Sequence, residues 1–84
     1  MYYVYLLATN KGKTYIGCTS DLRRRYKEHS NKEVYSTKND EYRLVYYEAY
    51  VSKKDALRRE KRLKDGRANN ELKKRVHESI QEVF

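Results

Sequence analysis

The chain has 84 residues, with 20 Lys+Arg against 12 Asp+Glu for a net charge of +8, and 38% hydrophobic residues that include ten tyrosines. That length supports one core, so a single domain over residues 1–84 is expected, and the apolar content stands above the range in which chains stay disordered. The longest apolar run, Met1–Ala8, is far short of the ~20 residues that cross a bilayer, no basic leader precedes it, and the lone Cys18 has no disulfide or zinc-ligand partner, which argues against membrane spanning, secretion and a zinc-built fold and for the reducing cytoplasm.

Met1–Ala8 places bulky residues on both faces, Tyr3, Tyr5 and Leu7 against Tyr2, Val4 and Leu6, which predicts a central strand covered on two sides. Thr9-Asn10-Lys11-Gly12 has turn chemistry, with Gly12 free to take positive φ. The β-prone Lys13-Thr14-Tyr15-Ile16-Gly17 follows at hairpin distance, so the two strands should pair antiparallel. Thr19 or Ser20 can cap a helix with Asp21 in its first turn, and Leu22, Tyr26 and His29 recur at helical spacing up to Ser30-Asn31. Asn31–Glu41 is polar without a firm period and reads as a loop with a turn of helix near Val34-Tyr35.

Arg43–Tyr50 is rich in β-branched and aromatic residues and predicts a strand. Ser52-Lys53-Lys54-Asp55 then has capping-box spacing ahead of a helix that runs to Asp65-Gly66, where Gly66 can act as the stop. Asn69 or Asn70 can cap a last helix whose apolar stripe is Leu72, Val76, Ile80 and Val83. The expected order is therefore ββα, loop, βαα, with no repeat or low-complexity tract.

A positive excess of this size favours polyanions, because each neutralised phosphate releases counterions; a solvated, solubilising surface accounts for the charge equally well. Chemistry must come from particular residues. On the Ala56–Lys64 helix the inward stripe by spacing is Ala56, Leu57, Glu60, Leu63 and Lys64. A carboxylate on that stripe costs several kcal/mol of desolvation unless something compensates it: an arginine, contact with water at a boundary position, or a metal ion. Arg25 and His29 stand four apart and share a helix face, the first a permanently charged fork suited to phosphate, the second able to transfer protons. Arg23, Arg24 and Lys27 should point outward, as a solvated face or as contacts to a phosphate backbone. Most of the tyrosines must be core and interface filler. Tyr5 and Tyr15, on paired strands, can present two hydroxyls to one side of the sheet, and a phenol serves as proton acceptor only where a cation lowers its pKa from about 10.

Tyr3-Val4-Tyr5, then Tyr15-Ile16-Gly17, then Arg25 eight residues after Gly17, then Glu60 together resemble the GIY-YIG endonuclease superfamily. The resemblance covers nearly the whole chain and is especially close over Thr14–Gly17 and Asp21–His29. Tyr3 replaces Gly and Val4 replaces Ile in the first motif. The resemblance implies a small α/β (α+β) domain, a three-stranded antiparallel sheet flanked by helices, that hydrolyses phosphodiesters with one divalent metal. In it Tyr15 would activate the attacking water and Tyr5 would orient water or phosphate. Arg25 would neutralise the scissile phosphate, and His29, a position that is His or Tyr in relatives, would assist proton transfer or phosphate binding. Glu60 would be the sole protein ligand of Mg²⁺ or Mn²⁺. An asparagine that many members use near the site would fall at Asn69 or Asn70, earlier than the family spacing, where either also serves as a helix cap.

The expected activity is that of a metal-dependent DNA endonuclease of repair or recombination type, with Lys13, Arg23, Arg24 and Lys27 as further nucleic-acid contacts. An RNA-directed nuclease would use the same residues, and a non-catalytic nucleic-acid-binding module would keep only the fold and basic face. So small a domain shows no recognition helix, so structure-selective or nonspecific nicking is expected unless a homodimer or protein partner adds contacts.

Overall fold

The computed structural model describes residues 1–30 and 41–84, the side chains of residues 29 and 30 excepted. The expected turn near Val34-Tyr35 lies outside the described residues. The elements are β1 (Tyr2–Thr9), β2 (Thr14–Thr19), α1 (Leu22–Ser30), β3 (Tyr42–Tyr50), α2 (Lys53–Leu63), α3 (Gly66–Arg75) and α4 (His77–Glu82). They form an α+β fold whose three-stranded antiparallel sheet has the order β2-β1-β3. β1 is central, as its two-sided apolar pattern requires: Val4 through Thr9 are all buried.

Thr9 organises the β1–β2 turn. Its N–H donates to the Lys13 carbonyl at 2.8 Å, its Oγ1 accepts from the N–H groups of Lys11 and Lys13, and Gly12 takes φ +82°. This turn sets the register Leu7 opposite Tyr15 and Tyr5 opposite Gly17. On the other edge Leu6 pairs with Tyr46 but Leu7 with Leu44, so Val45 is an extra residue that reverses the facing of β3.

The two sheet faces bury separate clusters. Tyr5, Leu7 and Tyr42 pack with Tyr15, Leu44 and the α1 residues Leu22 and Tyr26. Val4, Leu6 and Ile16 pack with Ala56 and Leu63 of α2, Leu72 of α3, and Val76. Sheet edges and helix ends decide the details the sequence misassigned. β2 runs on to Thr19 because it pairs with β1 as far as Tyr3. Asp21 is not in the first turn of α1 but is its cap, its Oδ1 accepting from Arg24 N–H at 3.1 Å while its carbonyl takes the Arg25 N–H. Ser52 does occupy the N-cap of α2, yet its side chain makes no capping bond. Asp55 instead lies 3.3 Å from Arg58.

Gly66 does not stop α2. That helix closes at Leu63 with Lys64 as a right-handed C-cap, and Asp65 caps α3 by accepting from Arg67 N–H at 3.0 Å, so Gly66 opens α3 and both Asn69 and Asn70 lie inside it. Asn69 Nδ2 donates to the Leu63 carbonyl at 3.1 Å, satisfying an acceptor that the end of α2 leaves open. The expected last helix is broken at Val76, whose φ −106° and ψ 20° are not helical, into α3 and α4. The inward stripe of α2 is narrower than expected: Ala56 and Leu63 are buried, Leu57 and Lys64 are exposed.

Candidate active site

Tyr5 is the centre of the arrangement. It is 3% exposed, and it shares a sheet face with Tyr15 because both stand opposite odd-numbered neighbours in the hairpin register. Gly17, its cross-strand partner, leaves the space the phenol occupies: a Cβ built on Gly17 would lie 2.2 Å from Tyr5 Oη and 2.3 Å from Cζ. The ring therefore lies across β2 toward the edge of the sheet. The sequence presented Gly17 only as a motif letter, and hairpin arithmetic from the Thr9–Lys13 turn is the signal that pairs it with Tyr5.

Burial, first of all, pushes the Tyr5 phenol up to about 12. Arg25 opposes the rise, while Tyr15, Glu60 and Cys18 add to it. Residues from β1, β2, α1 and α2 thus act on one hydroxyl. At neutral pH that hydroxyl keeps its proton and serves as a donor. Cys18 is likewise pushed up, by burial and then by Glu60, against Lys53, so it is a thiol rather than a nucleophilic thiolate.

Arg25 has a buried Nε that makes no hydrogen bond among the described residues. Its nearest carboxylate oxygen, Glu28 Oε1, is 3.8 Å away in an exposed pair. A buried, unused N–H on an arginine fork is a ready donor for an anion. Glu60 is 21% exposed, and its ion-pair partner is Lys64 Nζ at 3.4 Å, one turn on and 59% exposed. Such a pair is weak, and of the three compensations open to Glu60, a neighbouring arginine is not the one the described residues supply. The half-buried, well-bonded arginine pair belongs instead to Glu48 on β3. Its carboxylate accepts from Arg59 Nε at 2.9 Å, from a terminal Arg59 nitrogen at 2.9 Å, and from the hydroxyls of Tyr46 and Tyr50. Arg59 is the residue before Glu60, so this network fastens α2 to the sheet where the candidate ligand sits. Neither Glu48 nor Arg59 stood out in the sequence, because the contact joins residues eleven apart across two elements.

No three His, Cys, Asp or Glu side chains converge on a metal-sized point among the described residues. A hard divalent cation held by one carboxylate, with water and substrate phosphate as its other ligands, fits this donor set; an all-protein cage does not. Lys13 stands exposed at the hairpin end, and Arg23, Arg24 and Lys27 are exposed on α1. His29 lies one turn beyond Arg25 on α1, its side chain outside the described residues.

Comparison with known proteins decides the family. Residues 1–75 match the model of the GIY-YIG catalytic domain. The chain belongs to the GIY-YIG family. Nucleases of this family act on nucleic acid and typically depend on a divalent metal. A UPF0213 protein of Clostridium perfringens is 33% identical over 98% of this chain and 90% of its own. One from Halobacterium salinarum is 35% identical over 76% of this chain and 86% of its own. A solution NMR structure of a UPF0213 protein from Bacillus halodurans superimposes with TM-score 0.56 at 35% identity, covering 86% of this chain and 82% of that one. Tyr5 and Tyr15 stand at the positions the sequence picked out, and Tyr15, Arg25 and Glu60 lie close enough to the Tyr5 hydroxyl to act on it electrostatically. No helix among the described residues is long and apolar enough to cross a membrane.

Proposed function

We propose that this protein is a divalent-metal-dependent endonuclease that hydrolyses DNA phosphodiester bonds, nicking one strand at a time with structural rather than sequence selectivity. The reading is carried by the buried Arg25 Nε–H that no described residue uses, on a side chain that, with Tyr15 and Glu60, acts electrostatically on the buried Tyr5 hydroxyl. Arg25 binds the scissile phosphate, its unused Nε–H and its fork donating to the non-bridging oxygens as negative charge builds on them. Tyr5, protonated at neutral pH, donates to the phosphate or the attacking water and fixes its direction. Tyr15, acting as the phenolate after releasing its own proton to solvent, takes the proton that the water gives up as its oxygen bonds to phosphorus. His29, one turn beyond Arg25, returns a proton to the departing sugar oxygen as the ester bond breaks. Glu60 would hold one Mg²⁺ or Mn²⁺, which when bound supplies Lewis-acid stabilisation of the phosphoryl oxygens. Lys13, Arg23, Arg24 and Lys27 contact the flanking backbone.

The test is incubation with labelled duplex, flap, branched and single-stranded DNA, and matched RNA, in Mg²⁺, Mn²⁺ or chelator, with Glu60→Gln alongside. Metal-dependent cuts that Glu60→Gln loses while retaining nucleic-acid binding are expected. Binding with steep salt dependence and no cleavage by either protein would replace this reading with that of a non-catalytic binding module.

A further inference from the structure

Between Lys53 and Lys64 the chain carries seven cations and two carboxylates, so most of its net charge rides on α2 and its cap. The helix has two different flanks. At about 100° per residue, Glu60 and Arg62 stand roughly 160° apart around the axis. The Glu60 flank faces the candidate active site. The Arg62 flank lines an open cleft of about 960 Å³ between α2 and α3, whose lining includes Arg58, Arg62 and Arg67 along with the carboxylates Asp55, Asp65 and Glu71. Arg58 is matched by Asp55 at 3.3 Å, and Arg59 by Glu48. The Asp65 carboxylate is turned to the Arg67 backbone N–H. Arg62 and Arg67 have no carboxylate partner among the described residues. Lys54 and Lys61 are exposed along the ridge between the flanks, and Leu57 beside them is 45% exposed.

An α-helix with its side chains is about 10–12 Å across, and the major groove of B-form DNA is about 12 Å wide. A candidate phosphate site facing one flank and unpartnered arginines on the other, one helix diameter apart, match two phosphate backbones separated by one groove. We infer that α2 lies in the major groove of a duplex substrate, with the scissile strand on the Glu60 flank and phosphates of the opposite strand in the α2–α3 cleft against Arg62 and Arg67. The inference rests on the nuclease reading for the first flank and adds the second. It selects duplex DNA: a single strand has one backbone and cannot fill both flanks, and the A-form major groove is too narrow to admit a helix.

The test is equilibrium binding in chelator, by fluorescence anisotropy, of a labelled duplex and the corresponding single strand between 50 and 200 mM salt, for the parent and Arg62→Gln/Arg67→Gln. Each phosphate contact contributes about 0.9 to the slope of log affinity on log salt, a factor of about 8 at 0.1 M. The double variant should therefore lower the duplex slope by about 1.8 and weaken duplex binding roughly 60-fold at that salt, with single-strand affinity held within about twofold. A control, Lys74→Gln/Arg75→Gln, removes the same formal charge from the far end of α3 and should leave the slope unchanged; melting by circular dichroism checks that both variants fold. Unchanged duplex binding, equal losses on both ligands, or an equal slope change in the control would overturn the groove assignment. A parent that fails to cut in Mg²⁺ or Mn²⁺ while its duplex slope still depends on the two arginines would refute the nuclease reading and leave the cleft standing.

Discussion

Replacing Gly17 with alanine probes the site through a single methyl group. The glycine sits in a strand without positive φ, so no backbone strain attends the change, and in open surroundings alanine would gain about 0.5–1 kcal/mol by restricting the unfolded chain. Here the new Cβ would meet Tyr5 Oη at 2.2 Å, Cζ at 2.3 Å and Cε1 at 2.9 Å, and a ring only 3% exposed, packed among Leu7, Tyr42, Leu22 and Tyr26, has no free volume to swing into. Contacts this short put the cost in the upper part of the overpacking range, about 2–3 kcal/mol. Set against the glycine gain, the net loss is about 1–2 kcal/mol, which lowers the melting temperature by roughly 5–15 °C in a domain of this size. The assay is thermal denaturation of Gly17→Ala, Tyr5→Leu and the pair. Leucine removes the ring atoms that clash, so the alanine should cost less than half as much in the Tyr5→Leu background. If Gly17→Ala melts within about 2 °C of the parent, or costs the same in both backgrounds, the packing of the phenol over Gly17 is refuted.

Glu48→Gln should destabilise by about 2–4 kcal/mol, read as a urea midpoint, because it leaves the half-buried Arg59 without its counterion. Burial pushes the Glu48 carboxyl up, but Arg59, Tyr46 and Tyr50 outweigh it and hold the group below its ordinary 4.5. Its contribution is thus complete above that pH and lost as pH falls through the lower folded value, and the acid limb of stability should be shallower in Glu48→Gln. Tyr5 gives the opposite limb. Its folded value, about 12, lies above the ordinary 10, so its contribution is full below pH 10 and disappears between 10 and 12. Tyr5→Phe should flatten part of the alkaline loss in urea midpoints at pH 9 and 11. Tyr50, also pushed up to about 12, first by burial and then by its hydrogen bond to Glu48, supplies a further part. An alkaline limb identical in Tyr5→Phe would refute the burial of that hydroxyl.

The sequence made legible whatever depends on local pattern. The two-sided apolar run made β1 central, the Thr9–Gly12 turn made the hairpin, and the spacing of Leu22, Arg25 and Tyr26 placed Arg25 on a helix near the core. The motif spacing singled out Tyr5, Tyr15, Arg25, His29 and Glu60 from the sequence alone. Helix ends were less legible. Asp21, Asp65, Asn69 and Gly66 suit several capping positions on propensity alone, and the choice among them is made by which terminal N–H or carbonyl the packed neighbours leave unsatisfied.

The amino-acid sequence by itself determined the strands, the cationic helices and the motif residues, because strand and helix periods are written in neighbours one to four apart. The tertiary structure alone decided that Gly17 makes room for the Tyr5 ring, that Glu48 rather than Glu60 pairs with an arginine, and that α2 presents a carboxylate on one flank and on the other Arg62, which has no carboxylate partner among the described residues. Those outcomes depend on strand register, the β3 bulge and the angle at which α2 crosses the sheet, and each is set by contacts between residues far apart in the chain.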